Sequence, residues 1–302
     1  MDTDLDTLAT ALYVSVDDLL KSRPELVPWR PRVGMKPLIS DAELVTLAVL
    51  SVILGYEDEA RWVRHVRSAW RGMFPTVPHQ PGYNKRMRRL APVLVAVIEH
   101  LSADTSVTTD DVLVVDSTPV ECARSRETVK RSDLAGWAEY GYCASHSRYF
   151  WGLRLHLVCT LHGLPVAYAL TGAKADERTV LTDLIDTTAA LAGGGRTIIA
   201  DKNYYGRDFE SHLAATGFTL LRKARVGEKP RPGTGLLKPL RQTIESVFDT
   251  LKGQLSLERH GGRTTAGVIV RVLQRLLALT TAIWHNDHTG QQVLRSLTAY
   301  DH

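Results

Sequence analysis

Two short apolar runs, residues 112–115 and 197–200, each end on an aspartate, Asp116 and Asp201. A continuous apolar run of this length, bounded by polar and turn residues, is the pattern of a buried central strand. In open α/β sheets the C-terminal ends of such strands are where sites form, so both carboxylates fall where chemistry is done. Periodicity elsewhere supports an α/β architecture with a mixed sheet. Residues 150–160 alternate between apolar and polar, His162 and Gly163 make a turn, and residues 164–170 return as the hairpin partner. Helices are expected at 176–192 and 207–216, a strand at 218–221, and a last amphipathic helix at 265–284 packed against the sheet.

A third carboxylate stands on a helix. Ile244, Val247, Phe248, Leu251 and Leu255 recur at steps of three and four, which leaves one apolar stripe along residues 241–252 and beyond. Arg241, Glu245 and Lys252 then line one side of that helix. In an arbitrary helix this pattern is more often a surface ion-pair ladder. Here it comes with two strand-end aspartates, and three carboxylates so distributed are what a two-metal phosphoryl-transfer site needs.

The front of the chain has another texture. A short amphipathic piece (Leu5, Leu8, Ala9, Leu12, Tyr13) and residues 15–20 precede a proline-rich stretch with Pro24, Pro28, Pro31 and Pro37. Ser40 can cap a helix over 41–54, with Asp41 and Glu43 in its first turn. A second helix over 59–70 turns Trp62, Val63, Val66 and Trp70 inward and Arg61, Arg64, Arg67 and Arg71 outward. A third is expected from Tyr83 through Lys85, Arg86, Arg88 and Arg89 into the apolar run 94–101. Three helices, one of them basic, fit an all-α, helix-turn-helix-like DNA-binding region over 1–105, ahead of a catalytic domain over 106–302. A plain helical bundle is the competing reading.

Charge supports a polyanionic partner through its distribution. Residues 1–60 carry 5 Lys/Arg against 11 Asp/Glu, residues 61–91 carry 8 and no acid, and residues 201–275 carry 14 against 7. The polar stretch 121–149, with Arg124, Arg126, Lys130, Arg131, His146 and Arg148, reads as a long substrate-facing loop. Cys122, Cys143 and Cys159 form no CxxC pair, which argues for a reducing compartment and against a disulfide framework or structural zinc. With no leader and no apolar run taken to reach membrane length, a cytoplasmic location without membrane contact is expected.

Asp116-Ser-Thr-Pro-Val, Ala200-Asp201-Lys-Asn-Tyr-Tyr-Gly and the Arg241–Glu245–Lys252 spacing resemble the DDE transposases of bacterial insertion sequences. The similarity runs over about residues 110–285. It implies a ribonuclease H-like mixed sheet flanked by helices, in which Asp116, Asp201 and Glu245 are the catalytic and metal-binding triad. It also implies two Mg²⁺ ions, with Mn²⁺ as substitute. Asp116 would bridge the ions, Asp201 hold one and Glu245 the other. Arg241 and Lys252 would grip phosphates beside the scissile bond, Arg as a fork and Lys as a point charge. Relatives carry a tyrosine where Lys238 stands, and some insert a β-rich domain that this spacing leaves out. Lys202, Lys238, Arg222, Lys223, Arg225, Arg86 and Arg89 are further expected DNA contacts. The partners implied are transposon terminal inverted repeats and target DNA, handled by a homodimer or larger assembly.

Several residues have simpler readings. Asp176 begins a helix and suits an N-cap, with a supporting role at the site as the alternative. His156 and His162 lack metal spacing, and Cys159 suits a small buried position. Tyr204 and Tyr205 are open between stacking on a base and packing under the loop. Two other functions stay on the page: a transposase-derived DNA-binding regulator without catalysis, and a ribonuclease H-like nuclease that cuts without strand transfer.

Overall fold

The computed structural model describes residues 3–30, 33–143, 147–233, 235 and 237–300. Contacts divide the chain into two units, Met1–Asp104 with Leu251–His302, and Thr105–Thr250. The expected boundary at 105/106 falls next to the first junction. Residues 251–302, assigned above to the catalytic domain, group instead with the N-terminal helices. Pro31 and His146 lie outside the described residues.

The first unit is helical. Helix α1 (Thr3–Ser22) is continuous where the sequence suggested two pieces. Helix α2 (Asp41–Ile53) opens with a full capping box: Ser40 Oγ accepts from the Glu43 amide, and the Glu43 carboxylate accepts from the Ser40 amide. Helix α3 (Glu59–Ala69) buries Trp62, Val63 and Val66. The third expected helix is two, α4 (Gln80–Arg89) and α5 (Ala91–Ala103), which break at Leu90. Pro92 is the reason: it suits a first helical turn and cannot donate inside a continuing helix.

The last helix of this unit is α10 (Thr265–His288), whose apolar run is interrupted by Arg271, Gln274 and Arg275. It is long and apolar enough to cross a bilayer, yet 78% of its apolar window is buried. It is the core helix against which α1, α2, α4 and α5 pack, not a cover for the sheet. Its Arg271 reaches the buried Glu59 carboxylate at 2.7 Å, which also accepts from Gln80 and Asn84. Several donors on one acid satisfy the requirement that a buried charge be paired.

The second unit is built on strand β1 (Val112–Ala123). Strand β3 (Arg148–Thr160) pairs antiparallel to it, with Asp116 opposite Leu157. The far side of β3 is shared by β2 (Glu139–Cys143) and β4 (Pro165–Gly172), both antiparallel. On the other side of β1 lie β5 (Thr197–Ile199) and then β6 (Thr219–Leu221), both parallel. The order is β2–β3–β1–β5–β6 with β4 on β3. Helix α7 (Glu177–Thr187) links β4 to β5, α8 (Arg207–Ala215) links β5 to β6, and α9 (Leu237–Asp249) follows β6. Antiparallel β1, β3 and β4, then parallel β5 and β6 with helical crossovers, are the ribonuclease H-like arrangement, to which β2 is added at the β3 edge.

Two expectations change. Strand β1 does not stop at Asp116 but runs seven residues past it, with β3 pairing along almost all of that length. Residues 121–149 are not one loop: they hold the end of β1, the short helix α6 (Arg126–Lys130) and β2. Both changes depend on the crossing at Gly152, opposite a bulge between Glu121 and Ala123. A Cβ at Gly152 would lie 2.2 Å from the Val120 carbonyl oxygen and 2.9 Å from the Cys122 amide nitrogen. Gly152→Ala is therefore expected to destabilise the fold by about 2–3 kcal/mol in urea unfolding. Gly136→Ala, where a Cβ meets nothing but φ is +92°, should cost about 1 kcal/mol. A neutral Gly152→Ala would show that the strands separate easily there.

Candidate active site

The parallel register between β1 and β5 brings the first two carboxylates together. Val114 is the partner of Ile199 at the last paired level. Asp116 stands two residues beyond that level on β1 and Asp201 two residues beyond it past the end of β5, near enough for its charge to act on Asp116. Strand β5 ends at Ile199, which opens that side of β1 to the Asp201 loop. Asp201 is held by an Asx turn: Asn203 donates its amide at 2.6 Å and its Nδ2 at 3.1 Å to the two carboxylate oxygens.

Adjacent residues of a strand face opposite sides, and β1 uses both. Asp116 meets α9, where Arg241 Nη2 stands 3.5 Å from Oδ2. Ser117 meets α7, donating its hydroxyl to Glu177 Oε1. Arg154 of β3 completes this second cluster, with Nη1 donating to Ser117 Oγ at 2.8 Å and to Glu177 at 3.0 Å. The Ser117 amide donates to Asp116 Oδ1 at 2.8 Å, so one residue joins the two clusters.

The electrostatics follow from this placement. Burial is the largest influence on the Asp116 carboxyl and pushes it up to about 6. The Ser117 amide and the Arg241 guanidinium pull it down, while Glu177 and Asp201 add to the rise. The negative charge at Asp116 is thus under-compensated, even beside Arg241. Hard carboxylate oxygens with an excess of negative charge are the donors a hard divalent cation takes, so the pair Asp116–Asp201 fits such an ion.

Glu245 shares α9 with Arg241. It lies one turn after Arg241 on α9, exposed, while Ile244, Val247 and Phe248 fill the buried face. Among the described residues, no three His, Cys, Asp or Glu side chains come close enough to hold a metal. Arg241, not Glu245, is the α9 residue in contact with Asp116. Lys252 follows on a π-helical turn, Thr250–Gln254, that continues α9.

The expected DNA contacts divide into engaged and free. Arg222 is corrected: it is 3% exposed, and all five of its N–H donors are used. Glu210 takes two, Glu228 two and the Lys223 carbonyl one, so no donor is left for a phosphate. Arg86 is half-buried and donates at 2.6 Å to Asp41 and at 2.9 Å to the Ile39 carbonyl. Arg225 lies 3.6 Å over the Tyr205 ring and stays exposed. Lys202, Lys223, Lys238 and Arg89 are exposed.

The remaining residues settle. Tyr204 is fully buried, and Tyr205 lies between Arg225 and Arg178, so Tyr204 packs under the loop while Tyr205 holds cations. Asp176 caps α7, and its bonds to Arg178 hold its carboxyl down at about 2. Cys159 is buried, and buried His156 bonds Thr171 at 2.9 Å. Glu177, Ser117 and Arg154 were missed by sequence reasoning. The available signal was that Asp176 as N-cap makes Glu177 the first helical residue, directly after the hairpin that flanks β1.

The second unit is a ribonuclease H-like α/β domain with aspartates just beyond the β1–β5 pairing. Residues 108–281, more than half of the chain, match the family described as the transposase DDE domain. The chain belongs to that family. No curated protein matches the sequence. Among solved structures, a piggyBac transposase in synaptic complex with hairpin DNA is similar at 10% identity and TM-score 0.47, over 97% of this chain and 77% of that one.

The raised Asp116 carboxyl yields a stability prediction with a fixed sign. Its pKa in the folded chain, about 6, exceeds the ordinary 3.8, so the folded state loses stability as pH rises between those values. Asp116→Asn should therefore be more stable than wild type at pH 7.5, on the order of 2 kcal/mol, with the difference vanishing near pH 3.5. Added Mg²⁺ should stabilise wild type at pH 7.5 and leave Asp116→Asn unchanged in the same thermal unfolding assay. An asparagine variant less stable at pH 7.5 would overturn the assignment of cost to that carboxylate.

Proposed function

We propose that this transposase-family chain cuts phosphodiester bonds at the ends of a transposable DNA element and joins the freed 3′-hydroxyl to target DNA. The observation that supports this reading is the β1–β5 register, whose last paired level, Val114 with Ile199, comes two residues before Asp116 and Asp201, together with the effect of the Asp201 charge on Asp116. Divalent ions, Mg²⁺ or Mn²⁺, would be held by Asp116 and Asp201 with Glu245 as third carboxylate, and would supply positive charge to the attacking and leaving oxygens. Arg241 holds Asp116 ionised and offers its remaining donors to a phosphate oxygen. Ser117, Glu177 and Arg154 fix the backbone that carries Asp116, so the carboxylate is pre-positioned. Arg225, Lys223, Lys202 and Lys238 supply sequence-independent attraction to the DNA backbone, and Arg89 does so from the helical region. No protein nucleophile is needed, because water and then a DNA hydroxyl attack. Two ends must be handled together, which favours a dimer or larger assembly.

The test is cleavage of labelled DNA carrying the element's own ends with Mg²⁺ or Mn²⁺, wild type against Asp201→Ala. Cutting should fall by more than the ~10–100-fold typical when a supporting residue of a metal site is lost, with DNA binding unchanged, and wild type should give joined product. Cutting without joining would favour the nuclease reading. Binding without cutting by either protein, in both metals, would favour the regulator.

A further inference from the structure

The β2–β3 pair is aromatic on its open face. Gly141, Cys143 and Phe150 point to one side, where Cys143 and Phe150 form a buried cluster with Ala173. Tyr140, Tyr142 and Tyr149 point to the other side and are 52%, 48% and 78% exposed. Tyr142 and Tyr149 are direct partners in the register, with ring centroids 5.1 Å apart and planes tilted by 57°. The arrangement is locked. A Cβ at Gly141 would lie 2.8 Å from Ala173 Cβ and 2.9 Å from the Phe150 ring. A one-residue slip would expose Phe150 and force the tyrosines into that tight side.

The tyrosine face connects to the acidic site through one side chain. Arg154 donates from Nη2 to the Tyr142 carbonyl at 3.3 Å and from Nη1 to Ser117, the neighbour of Asp116. On the Cys143 side of the same pair, Glu121 is approached by Arg124 at 3.3 Å and by Arg148 at 3.8 Å, so these cations are paired and stand apart from the rings. Exposed rings on one face suit nucleic acid, since every base offers a π-face. In paired duplex the base faces are already stacked, so the ring faces here can serve only a base that has left the stack.

We propose that Tyr142 and Tyr149, with Tyr140 beside them, stack an unpaired nucleobase of the DNA strand whose phosphate lies at Asp116 and Asp201. The inference rests on the reading above that DNA is cut at those residues. It adds the state of the substrate: the end presented to the site carries at least one base out of the duplex.

The experiment uses the full chain carrying Asp201→Ala, so that DNA stays intact. Fluorescence anisotropy compares a fully paired labelled duplex with one bearing a five-nucleotide 3′ overhang that contains 2-aminopurine. Tyr142→Ala/Tyr149→Ala should weaken binding of the overhang DNA by about fivefold or more and change paired-duplex binding by less than about twofold. Tyr142→Phe/Tyr149→Phe should bind like the parent, because stacking needs the ring and not the hydroxyl. The 2-aminopurine signal should be quenched by the parent and by the phenylalanine variant and not by the alanine variant. Equal losses on both DNAs, no loss with alanine, or a phenylalanine variant as weak as alanine would each overturn the platform. A wild-type chain that fails to cut its own ends while the overhang preference persists would sink the transposase reading and leave the platform standing. Cutting with an alanine variant that binds the overhang normally would do the reverse.

Discussion

Alternation along β1 is the constraint on which the site depends. A strand sends successive side chains to opposite faces, so Asp116 and Ser117 cannot serve the same helix. Asp116 is left with Arg241 of α9, and Ser117 with Glu177 of α7 and Arg154 of β3. The consequence is a division of labour. The Ser117 side is saturated with hydrogen bonds and rigid, while the Asp116 side keeps a carboxylate pushed up to about 6, short of positive charge. Strain of this electrostatic kind is tolerated because the well-bonded side holds the strand in place.

The asymmetry of the sheet makes the same point from the backbone. Strand β1 has neighbours on both sides only as far as Val114, where β5 ends opposite it. Beyond that it is paired to β3 alone, and Pro119, opposite Arg154, falls in this one-sided stretch. A proline there removes a donor that a central strand would need and an open edge does not. The opening is therefore written into the chain by a short β5 and a proline-tolerant β1, and Asp201 occupies its mouth.

Much of this was legible because short-range chemistry decides it. The apolar runs 112–115 and 197–199, the Ser40 capping box, the Asp176 cap and the stripe of α9 all follow from periodicity and caps. What failed needed partners remote in sequence. Strand β1 was cut short at Asp116 because Ser117, Thr118 and Pro119 look like a terminator, and only β3 keeps them extended. Strand β2 hid in a polar stretch, since Tyr-Gly-Tyr carries its apolar face in a glycine packed on Phe150 and Ala173. Arg222 read as a phosphate contact because sequence does not reveal that Glu210 and Glu228 converge on it. Glu177 was overlooked in favour of Asp176, although one cap residue's difference decides which acid faces β1.

The distribution of cations is the last consequence of the same economy of charge. Arg222 anchors the 222–235 loop to α8 through Glu210, and Arg231 reaches the other oxygen of that acid. This ion network closes around the buried Arg222 while Glu228, Glu210 and Arg231 stay partly exposed. Arg225, on the anchored loop, lies over Tyr205, whose ring also receives Arg178 from the start of α7. Stacking on an aromatic face, unlike pairing with a carboxylate, leaves guanidinium N–H donors unspent. Positive charge is thus held on this loop by a ring and by a partly buried network, and among the described residues Arg241 is the cation paired with Asp116. A phosphodiester approaching that region meets donors that need not first break an ion pair, which lowers the cost of desolvating them on binding.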